Sequence, residues 1–66
     1  MSNLFSELSK EIQRNKELLK VYEDIGPAGA FGAMFIRQEI NNGEQAMETG
    51  EATAMVVALA KLRESE

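Results

Sequence analysis

Ile25-Gly26-Pro27-Ala28-Gly29-Ala30-Phe31-Gly32-Ala33-Met34-Phe35-Ile36 decides how the rest of the chain is read. It holds the only proline and three of the five glycines, and it parts a long charged segment from a long mixed one. Glycine accepts the left-handed backbone of a helix C-terminus without steric penalty, so Gly26 is expected to end a first helix. Pro27 fits the first turn of the next helix, where its missing N–H removes no hydrogen bond. A stop set directly against a start joins two helices by a very short turn, and short connections make antiparallel neighbours.

Toward the N-terminus, residues 3–25 read as one amphipathic helix. Phe5, Leu8, Ile12, Asn15, Leu19 and Tyr22 recur at alternating spacings of three and four, which sets them on one stripe. Leu4, Leu18 and Ile25 widen it, while mixed charges, Lys20 near Glu23 and Asp24 among them, form a solvated face. Ser2 is the expected N-cap, its hydroxyl accepting from an otherwise orphan amide. Asn15 interrupts the apolar stripe. We read it as a half-exposed or water-bonded amide near the rim; the competing reading is a register-setting polar residue at a helix–helix seam, as in coiled coils.

Toward the C-terminus a second helix is expected from Pro27 to about Glu48. Ala33, Ile36, Ile40, Gly43 and Met47 make one face, and Phe31, Met34 and Phe35 fall on the opposite side. A helix start that is apolar nearly all round is buried on more than one side. Thr49-Gly50 breaks the pattern, and Glu51 opens a third helix to about Glu64, its acid suited to the positive end of the helix dipole. Ala52, Met55, Val56, Leu59 and Leu62 form its expected inner face, with Val57 out of place. The expected architecture is all-α and a single domain over 1–66. It is an antiparallel hairpin of two long helices plus a shorter third, completed by homo-oligomerisation, most simply as a two-fold dimer.

Size supports that last step. A chain of 66 residues buries only about 60% of its unfolded surface. With no cysteine and no histidine, disulfides and the usual zinc ligand sets are excluded, and self-association is the common remaining support for so small a fold. Phe31, Met34 and Phe35 are the expected oligomer interface, with Gly29 and Gly32 allowing close approach. The net charge of −4 argues against a nucleic-acid backbone as the principal partner. No apolar run approaches the roughly 20 residues that span a bilayer. The start Met1-Ser2-Asn3-Leu4-Phe5-Ser6-Glu7 lacks the basic and apolar parts of a signal peptide. Cytoplasmic residence is the expectation.

Three constellations bear on chemistry. Gly26, Gly29 and Gly32 recur every third residue at a helix start, where free amides and the dipole suit an anion. A nucleotide there would meet the aromatic faces of Tyr22 and Phe31 and the cations of Lys20 and Arg37. No Lys-Ser or Lys-Thr follows and no strand precedes, so neither a P-loop nor a dinucleotide fingerprint is present. Close packing of small residues is the competing account of the glycines, and a surface ion pair with a nearby glutamate that of Arg37. The six acids after Gln38, Glu39, Glu44, Glu48, Glu51, Glu64 and Glu66, offer an acidic surface to a basic partner or serve solubility. Met34, Met47 and Met55 are read as core, against an adaptable binding surface. No histidine stands ready to activate Ser2, Ser6, Ser9 or Ser65. No enzymatic activity, cofactor or metal is expected.

Over residues 14–36, Arg-Asn-Lys-Glu-Leu-Leu-Lys-Val-Tyr-Glu-Asp-Ile-Gly-Pro-Ala-Gly-Ala-Phe-Gly-Ala-Met-Phe-Ile, the chain resembles short all-helical accessory proteins encoded in phage and prophage genomes. The resemblance spans roughly the first two helices and carries no activity and no site residues. It implies a bacterial host and an accessory gene; by analogy alone, phage accessory proteins of this size are often inhibitors of host machinery or sponges for host signalling nucleotides. The expected function is accordingly a non-enzymatic homo-oligomeric binder that modulates a host factor. The alternative is a sponge for an anionic, cyclic nucleotide at the Gly26–Gly32 helix start.

Overall fold

The computed structural model describes residues 3–65 and is all-helical over them. Helix α1 spans Leu4–Ile25, a single 3-10 turn spans Gly26–Gly29, α2 spans Ala30–Thr49 and α3 spans Ala52–Glu64. Ser2, the expected N-cap, lies outside the described residues. Asn3 does that work, its Oδ1 accepting from the Ser6 amide at 2.7 Å while its carbonyl accepts from Glu7 at 2.9 Å. Both bonds satisfy amides that the helix start leaves without partners.

Gly26 ends α1 as expected, at φ 85°, with its N–H donating to the Glu23 carbonyl; Gly50 ends α2 at φ 71°, donating to Ala46. The start of α2 differs from expectation. Pro27 opens the tight 3-10 turn, and the α-helix begins only at Ala30, whose N–H donates to the Pro27 carbonyl. A 3-10 turn narrows the backbone and lets the chain reverse in less length than an α-turn.

Two ion pairs of 3.0 Å, Lys16–Glu44 and Arg37–Glu23, fix α1 and α2 as antiparallel, because one partner number rises as the other falls. Helix α3 folds back against both. Leu8, Ile12, Ile36, Ile40, Ala46, Met55, Ala58, Leu59 and Leu62 form the common core, and burial of each large member contributes about 1.5–3 kcal/mol. The three helices meet most closely at Gly43, where a Cβ would stand 3.1 Å from Leu62 Cδ1 and 3.2 Å from Ile12 Cγ1.

Several expectations about facing are corrected: Phe5, placed on the apolar stripe of α1, is 54% exposed, Met34, read as core, is 50% exposed, and Ala52, assigned to the inner face of α3, is exposed. Val56, assigned to the inner face of α3, is 55% exposed, and Ala58 is buried in its place. Asn15 is not at a rim: it is 0% exposed. It stands at the α1–α3 seam, where its Nδ2 donates to the Glu11 carbonyl at 2.8 Å and to the Leu62 carbonyl at 3.2 Å. The seam alternative describes its position.

Candidate functional site

Helix α3 is shorter than the hairpin it packs on, and polar bonds determine where it stops. Arg14 Nη2 donates to the Leu62 carbonyl at 2.8 Å and to the Ser65 carbonyl at 3.0 Å, beside the Asn15 bond to the same Leu62 oxygen. These donors serve carbonyls that a helix end leaves without intrahelical partners. The C-terminus of α3 is thereby held level with Arg14 and Asn15. Glu11 Oε1 in turn accepts from Arg14 Nε at 3.0 Å, which holds the guanidinium in place. Arg14→Ala is expected to lower stability by about 1–2 kcal/mol, since charge-assisted bonds are lost from a partly exposed site. Urea unfolding measures it, and α3 amides should lose hydrogen-exchange protection before those of α2.

Helix α1 runs on past that level to Ile25, about 15 Å at 1.5 Å per residue. Leu18, Val21 and Ile25 lie four, seven and eleven residues beyond Arg14 and so continue the face that Arg14 turns toward α3. The same holds on α2. Asn42, Ala46 and Thr49 line the cleft against α3, and Phe31 and Phe35 precede Asn42 by eleven and seven residues on that same face. Where α3 has ended, both stripes are apolar and open. Val21 is 55% exposed, Ile25 57%, Phe35 60% and Phe31 76%, with Met34 beside them at 50%. Isolated apolar residues on a surface are ordinary; these five are gathered at one end of the hairpin.

The glycines of the turn face the other way. Gly29 is buried, and a Cβ built on it would collide with the backbone carbonyl oxygen of Tyr22, with the Tyr22 carbonyl carbon 3.1 Å off. A Cβ on Gly32 would run into the Tyr22 ring at Cδ2 and Cε2. The close approach that both glycines permit is therefore made to α1 of their own chain, inside the hairpin. Phe31, Met34 and Phe35 remain at the surface.

The remaining residues of the anion constellation are dispersed. Gly26 is the positive-φ stop of α1, and the first α2 amide, Ala30, is already bonded to Pro27. Arg37 lies two turns further along α2, where its Nη2 is paired with Glu23 Oε2 at 3.0 Å, both side chains about half exposed. Lys20 is exposed on α1, and Tyr22 fills the space beside Gly29 and Gly32. These groups do not converge on one concave surface.

A concavity among the described residues lies elsewhere. A cleft of about 500 Å³ opens between the C-terminal half of α2 and α3. Asn42, Gln45, Thr49 and Thr53 line it with amides and hydroxyls, Ala46, Ala54, Val57 and Ala58 with carbon, and Glu51 and Lys61 with charge. It was missed from the sequence because these polar residues read as solvated surface. Its signal was the small size of Ala46, Ala54 and Ala58 where two helices face each other. The cleft offers hydrogen-bonding groups but no nucleophile paired with a base, and among the described residues no three acidic side chains gather as metal ligands. Among the described residues no helix is long and apolar enough to cross a membrane. Comparison with protein-family models, with curated proteins and with solved structures returned no match for this chain.

Proposed function

We propose that this chain is a non-enzymatic, homo-oligomeric binding protein, an accessory protein of phage or prophage origin that engages and inhibits or modulates a bacterial host factor. The observation that carries the reading is the exposed apolar face of Phe31, Phe35 and Met34, 76%, 60% and 50% accessible on one helix. Aromatic and methionine side chains concentrated at a surface are the residue types that interfaces use. A face so apolar is poorly suited to stand alone in water.

The charge distribution supports a division of labour. Residues 39–66 contain six acids, Glu39, Glu44, Glu48, Glu51, Glu64 and Glu66, against Lys61 and Arg63, which accounts for the whole net charge of −4. In this reading the apolar hairpin end serves assembly and the acidic end faces a basic surface on the host factor, where charge complementarity speeds encounter and selects the partner.

Sedimentation tests the assembly half. Phe35→Glu is expected to reduce the sedimenting mass while leaving the helical circular dichroism intact, since Phe35 stands outside the core. A wild-type chain that already sediments as a single copy overturns the reading. The binding half is tested by co-purification from a bacterial host. Double reversal of Glu48 and Glu51 to lysine should release the co-purifying protein without changing the mass of the oligomer. Unchanged recovery of that protein would reject the acidic end as its binding surface.

A further inference from the structure

We infer that the partner of the hairpin end is a second copy of the same chain, docked by two-fold symmetry so that each copy's α1–α2 tip fills the space beyond the other's α3. The inference rests on the self-association proposed above and names its geometry. Arg14 and Asn15 hold the end of α3 at the Leu62 and Ser65 carbonyls, so the vacated half of the bundle is a built step with a defined floor. Leu18, Tyr22 and Leu19, only partly buried, form that floor against the core.

Charge selects a like copy over a charged partner. A two-fold contact sets the same patch on both copies face to face, residue i meeting j and j meeting i, so a patch with net charge repels itself. Residues 16–38 carry three bases, Lys16, Lys20 and Arg37, and three acids, Glu17, Glu23 and Asp24, and are neutral in sum. The five exposed apolar residues of the patch carry no charge at all, and Arg37 and Glu23 neutralise each other at its edge. The chain's net charge sits in residues 39–66, and of those acids Glu44, Glu48 and Glu51 lie toward the α2–α3 turn, at the opposite end of the hairpin from the tip.

Area is consistent with the same occupant. With an aromatic side chain offering roughly 150–250 Å², the fractional exposures of Phe31, Phe35, Met34, Val21 and Ile25 correspond to an open patch on the order of 500 Å². Two such patches face to face remove on the order of 1,000 Å², the level at which specific interfaces begin.

The experiment uses the full chain and exploits its lack of cysteine. Wild type, Val21→Glu and Val57→Glu are compared by analytical ultracentrifugation across a concentration series, with circular dichroism confirming the fold. Val21 and Val57 are similarly exposed, 55% and 50%, but only Val21 lies on the tip. Wild type and Val57→Glu are expected at two copies, and Val21→Glu at half that mass. In a second arm, single-cysteine variants Asp24→Cys and Thr53→Cys carry spin labels, one per copy. The distance between labels should be shorter at position 24, near the tip, than at position 53, near the far end. A wild-type chain of single-copy mass overturns the self-association itself. Wild type above two copies, Val21→Glu at unchanged mass, or a shorter distance at position 53 overturns the tip-to-tip geometry while leaving self-association standing.

Discussion

Gly29→Ala is expected to destabilise the chain by on the order of 3 kcal/mol, more than Gly32→Ala. The backbone at Gly29, φ −91° and ψ −1°, is one that alanine adopts freely. Gly29 is the N-cap of α2, where glycine is preferred to alanine by about 1 kcal/mol at most. The rest of the penalty is steric. The added methyl would strike the Tyr22 carbonyl oxygen, with Ile25 Cβ 3.3 Å away, and neither atom can swing aside without moving α1. Since domains hold only about 0.05–0.15 kcal/mol per residue, such a loss would remove roughly a third or more of the stability of a 66-residue chain. Urea denaturation followed by circular dichroism reads it directly. Gly32→Ala supplies the contrast, because its methyl meets the Tyr22 ring, a side chain able to rotate. Truncating Tyr22 to alanine should relieve Gly32→Ala and leave Gly29→Ala unrelieved, as the carbonyl stays. Equal stability of Gly29→Ala and wild type would mean that the hairpin apex is not so closely packed.

That contrast also marks what was legible in the sequence. Glycine spacing announces small residues at a helix start, but what occupies the space beside them is decided by a carbonyl and a ring on another helix. Gly26 and Gly50 were readable as stops because a positive φ is a local property, settled by the residue itself. The core stripes of α1 and α2 were readable because three-four periodicity is also local, and Arg37 finds a glutamate, Glu23, as the simplest account of a lone surface base allowed. Val56 was misplaced because a thirteen-residue helix rich in alanine and valine has no sharp polar face to orient it. The open half of the bundle needed a fact that no single segment contains. The lengths of α1 and α3 were each visible, but their relative register is set by Arg14 and Asn15 reaching carbonyls at Leu62 and Ser65, 47 to 51 residues away.

Asn15 is the sharper case, and its aspartate variant should show what the seam requires. Asn15→Asp changes few atoms, yet it replaces a donor that serves the Glu11 and Leu62 carbonyls with an oxygen that repels them. The site is 0% exposed, so an ionised carboxylate there would be desolvated and without a countercharge in its own bonds. Leaving a buried charge uncompensated costs about 3–5 kcal/mol. Burial disfavours the charged form, so the folded-state pKa of the introduced carboxyl is raised above its unfolded value. The unfolded chain then releases that proton more readily than the folded one. The penalty is absent below about pH 4, the ordinary aspartate range, and grows as pH rises toward the folded-state value. Asn15→Asp should accordingly be closest to wild type in acid and furthest from it at neutral pH, measured as the difference in urea midpoints at each pH. Asn15→Leu separates charge from shape. It removes one donor from a Leu62 carbonyl that Arg14 still serves, together with a buried Oδ1 that accepts no hydrogen bond among the described residues. Its loss should stay near 1 kcal/mol and be flat with pH. A pH-independent Asn15→Asp would show that the side chain reaches solvent, and the α1–α3 seam would then lack the polar contact that sets where α3 ends.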